Sequence, residues 1–491
     1  MGWFEASDYW LSRFLFERAL AAIYFIAFLV AFNQFPALLG ERGLLPVRRF
    51  MSVVPWREEP SLFYLHYSDA FLRALSCVGM LLSVALIAGL PQSGPAWAPM
   101  LAWFVLWVLY LSIVNVGQTF YSFGWETLLL EAGFIAIFLG PAWTAPPVFV
   151  IWIIRWLLFR VEFGAGLIKI RGDSCWRDLT CLYYHHETQP MPNPLSWFFH
   201  RLPRPVHKVE VAGNHLGQLI APFVLFAPQP AAGIAGLVVV IHQTWLILSG
   251  NFSWLNVITL SLAFAAFDDG QLAFLRALKP AALLPPDMWF VGAALAFTLL
   301  VIFLSWWPAR NLLSRHQLMN ASFNPFHLVG TYGAFGSITR DRYEIVLEAT
   351  DDPEPGAATV WREYEFKGKP GNPRRTPPQV APYHLRLDWL MWFAAMSPPR
   401  AHPWVFALVE KLLMADKPTL RLLKRSPFGD KRPAFIRGTL YLYRFSSWRE
   451  RRESRAWWVR RRVGEYLPPL SLAPEAEQRV RQELDASLMR F

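Results

Sequence analysis

Along the first two thirds of the chain, apolar residues run in stretches of about eighteen or more with almost no charge, long enough to cross about 30 Å of hydrocarbon as a helix. About nine spans are predicted, at 15–35, 71–90, 99–116, 127–139, 148–168, 216–226, 234–249, 255–267 and 289–307. The fourth, sixth and eighth are short. The first is of full length and lacks a small-residue cleavage site, so it reads as an uncleaved insertion signal. After about Pro308 the pattern changes. "RYEIVLEAT" and "TVWREYEF" alternate apolar and polar residues as half-buried strands do, with the turn-rich "DDPEPGAA" between them, and "IRGTLYLYRF" reads as a third strand. "LDWLMWFAAM" and "PWVFALVEKLLMAD" have the spacing of amphipathic helices. The fold class is therefore a multi-pass α-helical membrane bundle in 1–308, with a large polar loop at 169–215, followed by a small soluble α+β domain in 309–491. "GTYGAFG", at 330–336, reads as a turn or hairpin, because no Lys-Ser/Thr follows to make it a phosphate loop.

Composition agrees with a membrane protein. Of 491 residues, 54% are hydrophobic and 16% aromatic, against 17% charged. The net charge of +11 is concentrated after Pro308, in runs such as "SSWRERRESRAWWVRRRVGEY". Beside a membrane domain, such a surface points to the lipid bilayer and its anionic headgroups; no motif for nucleic acid accompanies it. G-x-S-x-G, H-E-x-x-H and Walker motifs are absent, which excludes those chemistries and no others.

An ionisable group at bilayer depth costs several kcal/mol unless paired, so each asks for a partner or a task. The fourth and fifth stretches carry Glu126, Glu131, Arg155, Arg160 and Glu162, and the fifth ends at Lys169. Arg155, Glu162 and Lys169 recur every seven residues and share a helix stripe. Asn214, His215, His242, Gln243, Asn251 and Asn256 follow. Two readings stand: buried pairs that fix helix packing, or a polar cavity where several converge. The loop "RGDSCWRDLTCLYYHHETQPMPNP" adds Cys175, Cys181, His185 and His186. Cys-x5-Cys is too wide for the usual zinc spacing and adjacent histidines rarely share an ion, so no metal is expected. A disulfide closing a small loop and two free thiols both fit. The prolines of "MPNP" hold the chain extended, which predicts a rigid external cap.

"NVGQTFYSFGWETLLLEAGF", "CWRDLTCLYYHHETQPMPNPLSW", "SGNFSWLN", "TYGAFGSITRDRYEIVLE", "WREYEFKGKPGNPRR" and "PYHLRLDWLMWFAAM", in order over 9–472, closely resemble the lipase maturation factor family. In animals its members are multi-pass endoplasmic reticulum membrane proteins needed for secreted lipases to reach their active dimeric state. The resemblance implies a maturation factor or chaperone with no cofactor, its partners a secreted lipase or other exported client protein and the bilayer. Trp176, Tyr183, Tyr184, His185 and Trp197 would present client-binding surface from the loop. The loops and tail would be luminal, or periplasmic if the Ala- and Arg-rich composition marks a bacterial inner-membrane version. Arg42, Arg48, Arg49, Arg57, Arg171, Arg177 and Arg201 then lie outside, against the positive-inside rule. Gly368 stands where the family pattern has a Cys, so no tail disulfide is expected.

A fainter similarity links "FGAGLIKIRGDSCW" to the Ala-Gly-x-x-Lys segment, followed by a Trp, in the transmembrane domain of vitamin K-dependent gamma-carboxylase. It places Lys169 at that enzyme's catalytic base. The alternative it implies is a membrane-embedded enzyme with Lys169 as the base.

Overall fold

The computed structural model describes residues 2–472, so the end of the expected tail domain, 473–491, lies outside the described residues. Five helices among these are long and apolar enough to cross a membrane: Ser7–Leu38, Asp69–Ala88, Trp97–Asn115, Ala231–Ser249 and Met288–Leu313. The second shows how sequence sets such an element. The Ser68 hydroxyl accepts the Phe71 N–H at 3.1 Å to start it, and Gly89, at φ +79°, stops it. Gly79 lets it approach the first helix, because a Cβ there would lie 2.5 Å from the Phe28 ring.

The other four predicted stretches take different forms. Gly124–Ala136 is a helix of only 13 residues, and 216–226 becomes a π turn, Leu216–Ile220, followed by Ala221–Val224. Leu255–Ala266 is a short apolar helix. Val148–Arg171 is long, at 24 residues, but carries the charges noted above and has Arg155, Arg160, Glu162 and Lys169 buried. It runs through the middle of the bundle and contacts Leu255–Ala263, Met288–Leu304 and Gly124–Ala136.

The tail contains a four-stranded antiparallel sheet in the order β2-β1-β3-β4, built from β1 (Arg342–Thr350), β2 (Arg362–Glu363), β3 (Phe435–Phe445) and β4 (Trp458–Leu470). Helices Arg386–Ala394 and Pro403–Leu413 pack on it. Strands β1 and β3 coincide with their predicted stretches. "TVWREYEF" shrinks to two paired residues, because its continuation leaves β1 after the Tyr364 N–H bonds Leu347 O at 2.9 Å, and Glu365 then bridges to Arg425. Strand β4 begins inside the basic run read above as charged surface: Arg461 and Arg462 face solvent from an outer strand, which hides the alternation. "GTYGAFG" is no hairpin. It runs irregularly along the central helix, where a Cβ at Gly164 would fall 2.4 Å from Tyr332 O.

Loop, tail and bundle interlock. The buried Arg342 guanidinium donates to the carbonyls of Glu187, Gln189 and Pro190, at 3.0, 2.5 and 3.0 Å. Asn193, within "MPNP", donates to Leu248 O at 3.0 Å and Gln379 Oε1 at 3.1 Å. Asn251 Oδ1 accepts the N–H groups of Val380 and Ala381, each at 2.8 Å. The expected cap is thus bonded to membrane helix ends on one side and to the tail on the other.

Candidate functional site

The last turns of the central helix carry Glu162 and Lys169 into a cavity of about 630 Å³, whose walls include His242, Trp176, His185 and Phe335. The Lys169 ammonium, 5% exposed, donates to Asn214 Oδ1 at 3.1 Å and Gln218 Oε1 at 2.7 Å, and lies 4.9 Å from the Trp176 ring centroid. Glu162 Oε1 accepts from Gln243 Nε2 at 2.6 Å, and Gln243 Oε1 accepts from Asn256 Nδ2 at 2.7 Å. His242 joins the two ends, with Nε2 3.2 Å from Asn214 Oδ1 and Nδ1 4.0 Å from Glu162 Oε2. Glu162 Oε2, His242 Nδ1 and Asn214 Nδ2 have no hydrogen-bond partner among the described residues. The floor is therefore polar, connected and incompletely satisfied, beneath largely apolar walls.

Other predicted polar residues lie elsewhere. Arg155 shares the stripe but donates to Ala265 O at 2.8 Å and Leu225 O at 3.1 Å, bracing helix ends. Glu131 pairs with Arg160 and accepts from Gly330 N at 3.0 Å and Tyr332 Oη at 2.7 Å, so "GTYGAFG" is pinned to the bundle by a buried carboxylate. Glu126 pairs with Arg386 of the tail at 2.8 Å and accepts from Tyr110 Oη. His215 is only half-buried and holds Trp176 O at 2.9 Å, outside the bundle interior where it was expected.

The loop shows the largest departure. Cys175 and Cys181 form a disulfide with Cα atoms 4.8 Å apart, and both are buried. Trp176, His185 and Trp197 are at most 7% exposed and so do not present the client surface expected of them. The Trp197 indole N–H is taken by Ser446 O at 2.9 Å, and His185 sits against Phe252 and Phe335. Burial, with His186 and Lys169 nearby, pushes the His185 imidazole down to about 3, which leaves it neutral. Tyr183 and Tyr184 are half-buried, with Arg204 and Arg340 over their rings. Aromatic exposure is found instead at Phe198, 42%, and Trp448, 53%, where loop and tail meet. Gln218 went unrecognised in the sequence, although it follows Asn214 by four residues and so shares its helix face.

A family model described as the lipase maturation factor transmembrane domain matches residues 11–274, and one described as the lipase maturation factor C-terminal domain matches 328–468. Among curated relatives, lipase maturation factor 1 of Bos taurus is 44% identical over 512 residues, covering 95% of this chain and 90% of the relative. Lipase maturation factor 1 of Homo sapiens is 43% identical, with 95% and 89% covered, and human lipase maturation factor 2 is 29% identical, with 96% and 84% covered. No solved structure matches.

Proposed function

The chain belongs to the lipase maturation factor family, and from that premise we propose that it is a membrane-anchored maturation factor that assists the folding or assembly of secreted lipases. The observation that carries this reading is the platform made by loop and tail. Phe198 of the loop, 42% exposed, lies with Trp448 of the tail, 53% exposed, in one aromatic patch, their ring centroids 6.2 Å apart. The Trp197 and Trp448 centroids are 4.4 Å apart, and Arg451 stacks 3.4 Å over Trp457 behind them. A rigid patch of aromatic side chains suits transient capture of a partly folded client, because little side-chain entropy is lost on contact.

The four shorter or charged apolar segments complete the membrane layer as the bundle's interior, for about nine in all, and 309–491 acts as the client-facing domain. The tail lies on the luminal side of the endoplasmic reticulum in an animal host and on the periplasmic side of a bacterial inner membrane. A Phe198→Ser/Trp448→Ser double variant, co-expressed with a secreted lipase in cells lacking their own maturation factor, is expected to lose most lipase activation while remaining folded and expressed in the membrane, with a melting temperature only modestly lowered. Full activation by that variant removes the patch from the proposal, and no activation by the unaltered chain with any lipase removes the function.

A further inference from the structure

Two helices of the polar loop bring a second constellation together, beyond the Lys169 floor and apart from the client patch. His186 comes from Leu182–Thr188, while His207 and Glu210, three residues apart and so on one face, come from Arg204–His215. One ligand atom from each can be chosen so that all lie within 4.8 Å of one another. Both histidines are 2% exposed, and the Glu210 side chain is 5% exposed.

The hydrogen bonding is uneven. Glu210 is held on both oxygens: Oε2 lies 2.6 Å from His207 Nδ1, and Oε1 accepts the Trp245 indole N–H at 2.9 Å. Among the described residues His186 has no hydrogen-bond partner on either ring nitrogen, and its Nε2 stands 3.9 Å from Glu210 Oε1. A buried imidazole with two idle nitrogens, aimed at an oriented carboxylate and a second imidazole, lacks an occupant that uses them. Phe199, with its centroid 5.6 Å from His186 and 4.9 Å from Trp245, closes the side of the group.

We propose that His186, His207 and Glu210 bind one divalent transition-metal ion, Zn²⁺ foremost, and so tie the two loop helices together. Two imidazoles and a carboxylate are the donor set of a three-ligand zinc site with one open position. Tetrahedral ligand atoms about 2.1 Å from zinc stand about 3.4 Å apart, so a modest turn of the His186 ring closes the present spread. The Trp245 indole fixes the carboxylate from outside, as supporting hydrogen bonds do in metal sites. His186 and Glu210 also line the 630 Å³ cavity, which leaves the fourth position to water or an oxygen-bearing group from that side. His185 takes no part, because it is stacked away against Phe252, and Cys175 and Cys181 are committed to each other.

The test needs no client. The full chain, purified in detergent, stripped with chelator and dialysed against ZnCl₂ alone, is expected to retain about one zinc per chain by mass spectrometry. Co²⁺ in its place is expected to give the visible absorption of a four-coordinate site. Glu210→Gln keeps the shape and an acceptor for Trp245, and His207→Gln keeps a polar side chain; each is expected to weaken zinc at least tenfold and abolish the cobalt band. If His207→Gln does not fold, Glu210→Gln decides alone. Folded wild-type protein that takes up neither ion overturns the proposal, as does zinc held equally by wild type and the folded variants.

Discussion

Two buried regions of this molecule use the same residue types to opposite ends. Around Glu126 and Glu131 every carboxylate meets a guanidinium: Arg386 and Glu126 are both fully buried and 2.8 Å apart, and Arg160 closes on Glu131. Around Glu162 and Lys169 the charges never touch. Amides intervene, and open space lies beside them. The first region joins parts of the chain far apart in sequence, tail to bundle. The second borders a cavity, and its charges are held through neutral amides. Burial of charge alone does not mark a functional site; burial without a direct partner, next to a cavity, is the more specific sign.

The sharpest way to break the comparison is at Arg386. Arg386→Met leaves Glu126 buried, with the Arg386–Phe120 O bond at 2.7 Å also lost, and is expected to cost about 3–5 kcal/mol in denaturant unfolding. Adding Glu126→Gln removes the orphaned charge and is expected to restore much of that loss. A nearly neutral single variant would show that the pair does not hold tail and bundle together.

Lys169 probes the other region at smaller cost. Lys169→Met deprives Asn214 and Gln218 of a donor and is expected to cost about 1–3 kcal/mol, less than Arg386→Met because the cavity admits water. Lys169→Arg keeps the charge and is expected to keep most lipase activation. The ammonium donates to two amide oxygens, and a guanidinium in its place can donate to the same pair. A well-folded Lys169→Arg protein without activity would reverse this, because Arg effectively cannot lose a proton and so cannot act as a base.

What the sequence disclosed follows the same division. Strand β1 and the helices Arg386–Ala394 and Pro403–Leu413 were legible because period two or 3.6 runs through uninterrupted residues. Glu126, Glu131, Glu162 and Lys169 stood out as ionisable groups inside apolar runs. Their partners did not: Arg386 and Tyr332 lie in distant segments, and nothing local marks a residue as the counter-ion of another far along the chain. The charges of the central helix pointed to its buried stripe, whereas β4 hid because its arginines face water. Exposure was the weakest inference. Trp197 was expected at the surface as part of the polar loop, and its burial rests on the tail, where Ser446 O takes the indole proton.

The smallest expected effect comes from a pair that resembles the first region in chemistry and differs in solvent. Asp173 opens the short helix Ser174–Arg177 by accepting the Cys175 N–H at 3.0 Å, and it meets Arg340 of the tail at 2.9 Å. The side chains are 17% and 44% exposed, so water screens the pair and its contribution stays under about 1 kcal/mol. The Arg340 guanidinium holds the Asp173 carboxyl below its ordinary value of about 3.9. A carboxyl depressed in the folded state stabilises above its unfolded value and loses that contribution as pH falls through the folded one. Asp173→Asn, which retains an acceptor for Cys175, is therefore expected to lower the melting temperature slightly and evenly between about pH 5 and 8, with the gap to wild type closing only in acid below about pH 4 and narrowing with added salt. A loss as large as that of Arg386→Met would mean that solvent exposure does not separate the two kinds of charge pair, and the distinction drawn between tail-locking and peripheral contacts would fail with it.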